Sequence, residues 1–171
     1  MANQEKHWEE IRRDVRDEIK RRIEQRDKYS IQLIIALGAI ISIAFIKSEF
    51  REVLIAAPFV SIYFTVLILY SYRIHKVLAK YFREVVGPAL ANLYGTPKEL
   101  EWGLWYSKHE VSGIRRWFFL GTMWIIAALS LLYLWLSQPQ EPFRTILIVF
   151  TVLYSLAISG VTVWDCCTSK K

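Results

Sequence analysis

Four apolar runs, at positions 29–46, 53–72, 117–136 and 145–164, alternate with charged stretches, and none has an Asp, Glu, Lys, Arg or His in its interior. A helix rising about 1.5 Å per residue needs about 20 apolar residues to cross roughly 30 Å of hydrocarbon. The pattern therefore predicts an all-α integral membrane protein whose four spans form a transmembrane bundle. Helices of a water-soluble bundle would need a polar face for solvent, and these runs have none. The intervening polarity divides the chain into a charged amphipathic helix (1–28), a first transmembrane hairpin (29–72), a helical loop (73–116), a second hairpin (117–164) and a short tail (165–171).

The first polar stretch has a helical pattern of its own. Acidic residues stand four positions ahead of basic ones at Glu9 and Arg13, Asp17 and Arg21, Glu18 and Arg22, and Glu24 and Lys28, each pair adding a few tenths of a kcal/mol. Trp8, Ile11, Val15, Ile19 and Ile23 recur at helical spacing as one apolar stripe, which needs a packing partner in the loop or in a neighbouring subunit. Gly38 is the only Gly or Pro between Gln4 and Ile46, so this helix is expected to run into the first span without a break.

The central loop starts by extending the second span through Val86, and Gly87-Pro88 is expected to end that helix. Thr96-Pro97-Lys98-Glu99 then carries a helix-start signature, a capping residue followed by Pro and Glu, with a stop expected at Ser112-Gly113. On that second helix Trp102, Trp105, Tyr106 and His109 share one side, while Leu100, Leu104 and Val111 share the other. Apolar groups on both sides imply contact with two neighbours, making these aromatics, together with Trp8, Ile11, Val15 and Ile19, candidates for cytosolic assembly or partner contact. Pro58 is expected to kink the second span.

Charge adds direction. Nine of the 22 Lys and Arg precede the first span, eight lie at 73–116 and two end the chain, leaving two in the first external turn and one beside the second. Positive flanks stay inside, which predicts cytosolic termini, a cytosolic central loop and, for a bacterial chain, residence in the inner membrane. The net charge of +6 does not point to nucleic acid, because the first 28 residues interleave nine basic with eight acidic groups. Cys166 and Cys167, adjacent and near the chain end, build no disulfide framework; palmitoylation is open to them in a eukaryotic source.

Candidate chemistry is sparse. His7, His75 and His109 have no metal-binding spacing, and no glycine-rich phosphate loop, nucleophile elbow or CxxC occurs, so no catalytic, cofactor or metal residue is assigned. An enzyme acting on lipid headgroups would have to draw on His75, Glu84, Glu101, His109 and Glu110. The spans instead carry small residues four apart, Gly38 with Ser42, Ala57 with Ser61, and Ser155 with Ser159 beside Gly160, as close-packing helices do. Four helices enclose no aqueous channel, so conduction would need several protomers, with Ser42, Ser61 and Thr65 as candidate lining hydroxyls.

The stretch His75-Lys76-Val77-Leu78-Ala79-Lys80-Tyr81-Phe82-Arg83-Glu84, followed by Pro88, Leu90 and Leu100-Glu101-Trp102, resembles the loop of a family of uncharacterised bacterial four-pass membrane proteins. The charged, Arg-rich helix running into a membrane pair is similar in layout to SLATT-type membrane effectors of bacterial antiviral and nucleotide-signalling systems, to which this chain adds two spans. That resemblance implies an oligomer that permeabilises the membrane on a cytosolic cue. The leading expectation is accordingly a homo-oligomeric pore-forming or membrane-disrupting effector, in contact with membrane lipids and controlled from the cytosol. The alternative is a membrane scaffold or anchor that recruits a cytosolic protein.

Overall fold

The computed structural model describes residues 2–46, 48–95, 113–137 and 141–169, with side chains described for 5–46, 50–95, 117–137 and 141–167. Helix α1 spans Ala2–Ile46, a 3-10 segment covers Ser48–Ile55, and α2 covers Ala56–Tyr81. A π-helical turn, Phe82–Val86, leads into α3 (Gly87–Tyr94), followed by α4 (Gly113–Leu136) and α5 (Phe143–Ser169). No strand occurs among the described residues. Four helical segments, Glu5–Ile46, Phe50–Tyr94, Trp117–Leu136 and Phe143–Cys167, are long and apolar enough to cross a membrane, which makes the chain a multi-pass, all-α membrane protein.

Several boundaries differ from those read in the sequence, each for a local reason. Gly87-Pro88 does not end the second long helix. Proline lacks an amide hydrogen, and its ring clashes with the carbonyl four residues back in a regular α-helix. Here the preceding turn widens, so that the Gly87 N–H donates to the Phe82 carbonyl five residues back, and helical structure resumes through Tyr94. The actual stop is Gly95, at φ +63°, whose N–H donates to the Ala91 carbonyl as a left-handed cap. Pro58 falls in the first turn of α2, three residues after the 3-10 segment ends at Ile55. Gly113 is the first residue of α4, and α5 continues through the expected tail to Ser169. The helix expected from Thr96 to Ser112 lies outside the described residues.

The chain separates into two compact units. The polar unit comprises 1–27 and 70–112, and the apolar unit comprises 28–69 and 113–171.

The apolar unit is held by two groups of buried side chains. One joins Ala44 of α1, Leu54 of the 3-10 segment, Leu131 and Leu134 of α4, and Leu147 and Tyr154 of α5. The other joins Leu69 of α2 with Leu120, Met123 and Ala127 of α4 and Ile158 of α5. One polar link reinforces the first group: Tyr154 Oη donates to the Ile55 carbonyl at 2.8 Å, using an acceptor at the junction where the 3-10 segment gives way to α2. Outward from these cores the helices are apolar as well, with Ile31, Ile34, Ile35 and Ile46 of α1 all more than half exposed. In lipid such faces are solvated by acyl chains, so burial against protein is not needed to keep them folded.

Candidate functional site

In the polar unit, the amino-terminal part of α1 lies antiparallel to the segment running from the end of α2 through the π turn and α3. Four contacts fix the order. The Arg26 guanidinium sits 4.5 Å over the Tyr72 ring, Ser71 Oγ donates to the Arg22 carbonyl at 3.0 Å, and the Arg16 guanidinium lies 5.8 Å over the Phe82 ring. At the far end, Tyr94 Oη donates to Glu9 Oε1 at 2.9 Å. As residue numbers fall along α1, they rise along its partner.

Arg26 is 9% exposed. A buried cation is costly unless its charge is answered, and here the ring face of Tyr72 and the Asp27 carboxylate, 3.7 Å away, answer it. Further along the pair, toward the amino terminus of α1, the buried side chains are apolar. Val15 is buried, Trp8, Ile11 and Ile19 are half-buried, and on the facing helix Val86, Leu90 and Ala91 are buried. The α1 stripe expected to need a partner thus has a folded neighbour within its own unit.

The charge pairs along α1 differ in part from those the spacing suggests. Glu18 and Arg22 pair as expected, the guanidinium Nε lying 2.7 Å from the carboxylate. Glu9 instead pairs with Arg12 at 3.3 Å, and Glu24 with Lys20 at 4.0 Å. Glu9 thereby serves two partners, Arg12 along its own helix and Tyr94 across the pair. The Tyr94 phenol is held above its ordinary pKa, first by its hydrogen bond to Glu9, then by desolvation and by the charges of Glu9 and Glu5.

The candidate packing residues of the spans divide into two sets. Ala57 and Ser61 of α2 are fully buried within the protomer. Gly38 and Ser42 of α1, and Ser155, Ser159 and Gly160 of α5, are exposed, and a methyl group added at Gly38 or Gly160 would meet no atom within 4 Å. A shallow apolar groove of about 350 Å³, lined by Val66, Ala157, Gly160, Val161 and Trp164, opens beside the last of these. Of the candidate pore-lining hydroxyls, Ser61 and Thr65 are buried at 0% and 1% exposure, so only Ser42 is available to a space between protomers.

Trp102, Trp105, Tyr106 and His109, with Glu101 and Glu110, lie outside the described residues. His75 and Glu84 stand nine residues apart on one continuous helix, roughly 13 Å along its axis. Among the described residues no group of three or more His, Cys, Asp or Glu side chains could hold a metal ion. Sequence reading missed the contacts of Tyr94, Tyr72 and Ser71 with α1, because their partners are distant in sequence and no spacing rule links them. No family model, curated protein or solved structure matches the chain.

Proposed function

We propose that this chain is a multi-pass inner-membrane protein that assembles into an oligomeric pore-forming or membrane-disrupting effector, with the polar helix pair as its cytosolic control element. The observation that carries the proposal is the outward placement of the small residues Gly38 and Ser42 on α1 and Ser155, Ser159 and Gly160 on α5. Within the apolar windows of these two helices only 17% of residues are buried inside the protomer, against 39% for the window containing α2. Small residues on an outward face allow a second helix to approach closely in lipid, where dispersion and packing drive association.

An even number of crossings returns both termini to one side, and the Lys and Arg distribution assigns that side to the cytosol. What supports control from there is that α1 is helical without interruption from Ala2 to Ile46, so the charged segment and the first span are one element. The similarity of this layout to SLATT-type effectors extends the proposal to bacterial antiviral defence.

The test is dye release from liposomes reconstituted with the purified chain over a range of protein-to-lipid ratios, with oligomeric state measured in parallel by crosslinking. Release that rises more steeply than protein concentration supports assembly of a pore. Liposomes that stay sealed while crosslinked oligomers are present overturn it.

A further inference from the structure

We infer that the α2 face carrying Arg73, Lys76 and Lys80 is a binding surface for anionic phospholipid headgroups of the leaflet from which α2 emerges. The apolar run of α2 ends at Tyr72, and these three residues follow at once. At about 100° per residue, Lys76 and Lys80 lie about 60° and 20° from Arg73 around the helix, so the three charges share an arc of about 60°. All three side chains are exposed, while Ile74, His75, Leu78 and Ala79 on the other side of the helix are half-buried.

The charge of Lys76 and Lys80 has no acidic neighbour along the helix before Glu84. No acidic residue occurs between Tyr72 and Glu84, and neither Lys76 nor Lys80 forms an ion pair among the described residues. Helix α1 is the contrast, because its basic groups alternate with acids and several are held in pairs along the helix. A signal for membrane orientation needs basic residues in the segment but places no demand on their angular position. Their alignment on one exposed face is the added feature.

Helix direction favours the same conclusion. Cα–Cβ bonds tilt toward a helix's amino terminus, so side chains on a helix leaving the membrane carboxy-terminally lean back toward the headgroups. On α1, which enters the membrane in the opposite sense, they lean away. Lys76 lies roughly 6 Å and Lys80 roughly 12 Å beyond Tyr72 along the axis. Headgroups occupy roughly 5–7 Å outside the hydrocarbon. Arg73 and Lys76 therefore reach the phosphates directly, and Lys80 acts within a Debye length of about 8 Å.

Each basic group so placed favours an anionic surface roughly fivefold. The inference rests on α2 crossing the bilayer and is independent of pore formation, so leak-tight liposomes would leave it standing.

The experiment uses the full chain in detergent micelles doped with phosphatidylglycerol or phosphatidylcholine, with bound lipid counted by native mass spectrometry. Lys76→Gln with Lys80→Gln should weaken phosphatidylglycerol binding roughly tenfold or more and leave phosphatidylcholine unchanged, and Lys76→Arg with Lys80→Arg should bind as the unaltered chain does. Arg13→Gln with Arg21→Gln, which removes the same charge from exposed positions of α1, should also bind normally. Undiminished phosphatidylglycerol binding by the glutamine pair, or an equal loss in the α1 pair, overturns the inference.

Discussion

Tyr94 donates a 2.9 Å hydrogen bond to Glu9, fastening the last turn of α3 to the beginning of α1 across 85 residues of sequence. The two residues meet because the helices run in opposite directions. From the contact of Arg26 with Tyr72 to that of Arg16 with Phe82, both helices advance by ten residues; from there α1 covers seven residues to Glu9 while its partner covers twelve, through the π turn, to Tyr94.

The first prediction concerns this hydrogen bond and alkali. A phenol bonded to a carboxylate is stabilised in its protonated form, and its pKa in the folded protein is raised. Its contribution to holding the pair together is therefore complete below the ordinary tyrosine value of about 10 and lost as pH rises through the raised value. Glu9→Gln should let Tyr94 ionise at lower pH, as read from phenolate absorbance compared with a Tyr94→Phe reference. An unshifted Tyr94 titration would mean the carboxylate does not hold the proton.

A second prediction tests the π turn. Such a turn is equivalent to one residue inserted into an α-helix, so removing one residue there while removing the proline restores a regular helix without rotating α3. Deleting exposed Glu84 together with Pro88→Ala should preserve crosslinking by a short bis-maleimide between cysteines substituted for Glu9 and Tyr94. Deleting Ala79 instead turns everything beyond it by about 100° and should abolish that crosslink. Equal yields from the two deletions would count against a register set by the π turn.

The apolar unit offers a third. Removing the Tyr154 hydroxyl leaves the Ile55 carbonyl without this donor, and hydrogen bonds between helices in membranes are worth about 0.6–2 kcal/mol. Tyr154→Phe should lower stability by that amount in reversible unfolding from mixed micelles. A neutral or stabilising result would show that the carbonyl is satisfied by other means.

The fourth separates contacts within the protomer from those between protomers. Gly38→Leu and Gly160→Leu place bulk where nothing stands within 4 Å of the added Cβ, so the protomer should fold normally while crosslinked oligomers decline. Ala57→Leu, at a fully buried site, should reduce the yield of folded protein. Undiminished oligomers in both glycine variants would remove these faces from the assembly.

The spans were legible in the sequence because hydrocarbon imposes a length and a polarity that few other constraints mimic. Likewise the single helix from Ala2 to Ile46 followed from the scarcity of helix breakers. Gly87-Pro88 was misleading: local propensity marks a stop, whereas burial of Val86, Leu90 and Ala91 accompanies a widened turn that carries the helix on. The pairing of Arg26 with Tyr72, and of Tyr94 with Glu9, depends on how two helices align, which periodicity along either one does not encode. Small-residue spacing in turn identified packing-competent positions but not their facing, so Ala57 and Ser61 turned inward while Gly38, Ser42 and Gly160 turned outward.

The row of exposed isoleucines on α1 bears on biosynthesis. Isoleucine is a middling helix former and a strong strand former, and Ile31, Ile34, Ile35 and Ile46 are all more than half exposed within the single chain. A nascent chain stalled in water with this segment outside the ribosome would offer a sticky β-prone stretch to its neighbours. Handover to the insertion machinery must therefore keep pace with elongation, before the other three crossings have been made.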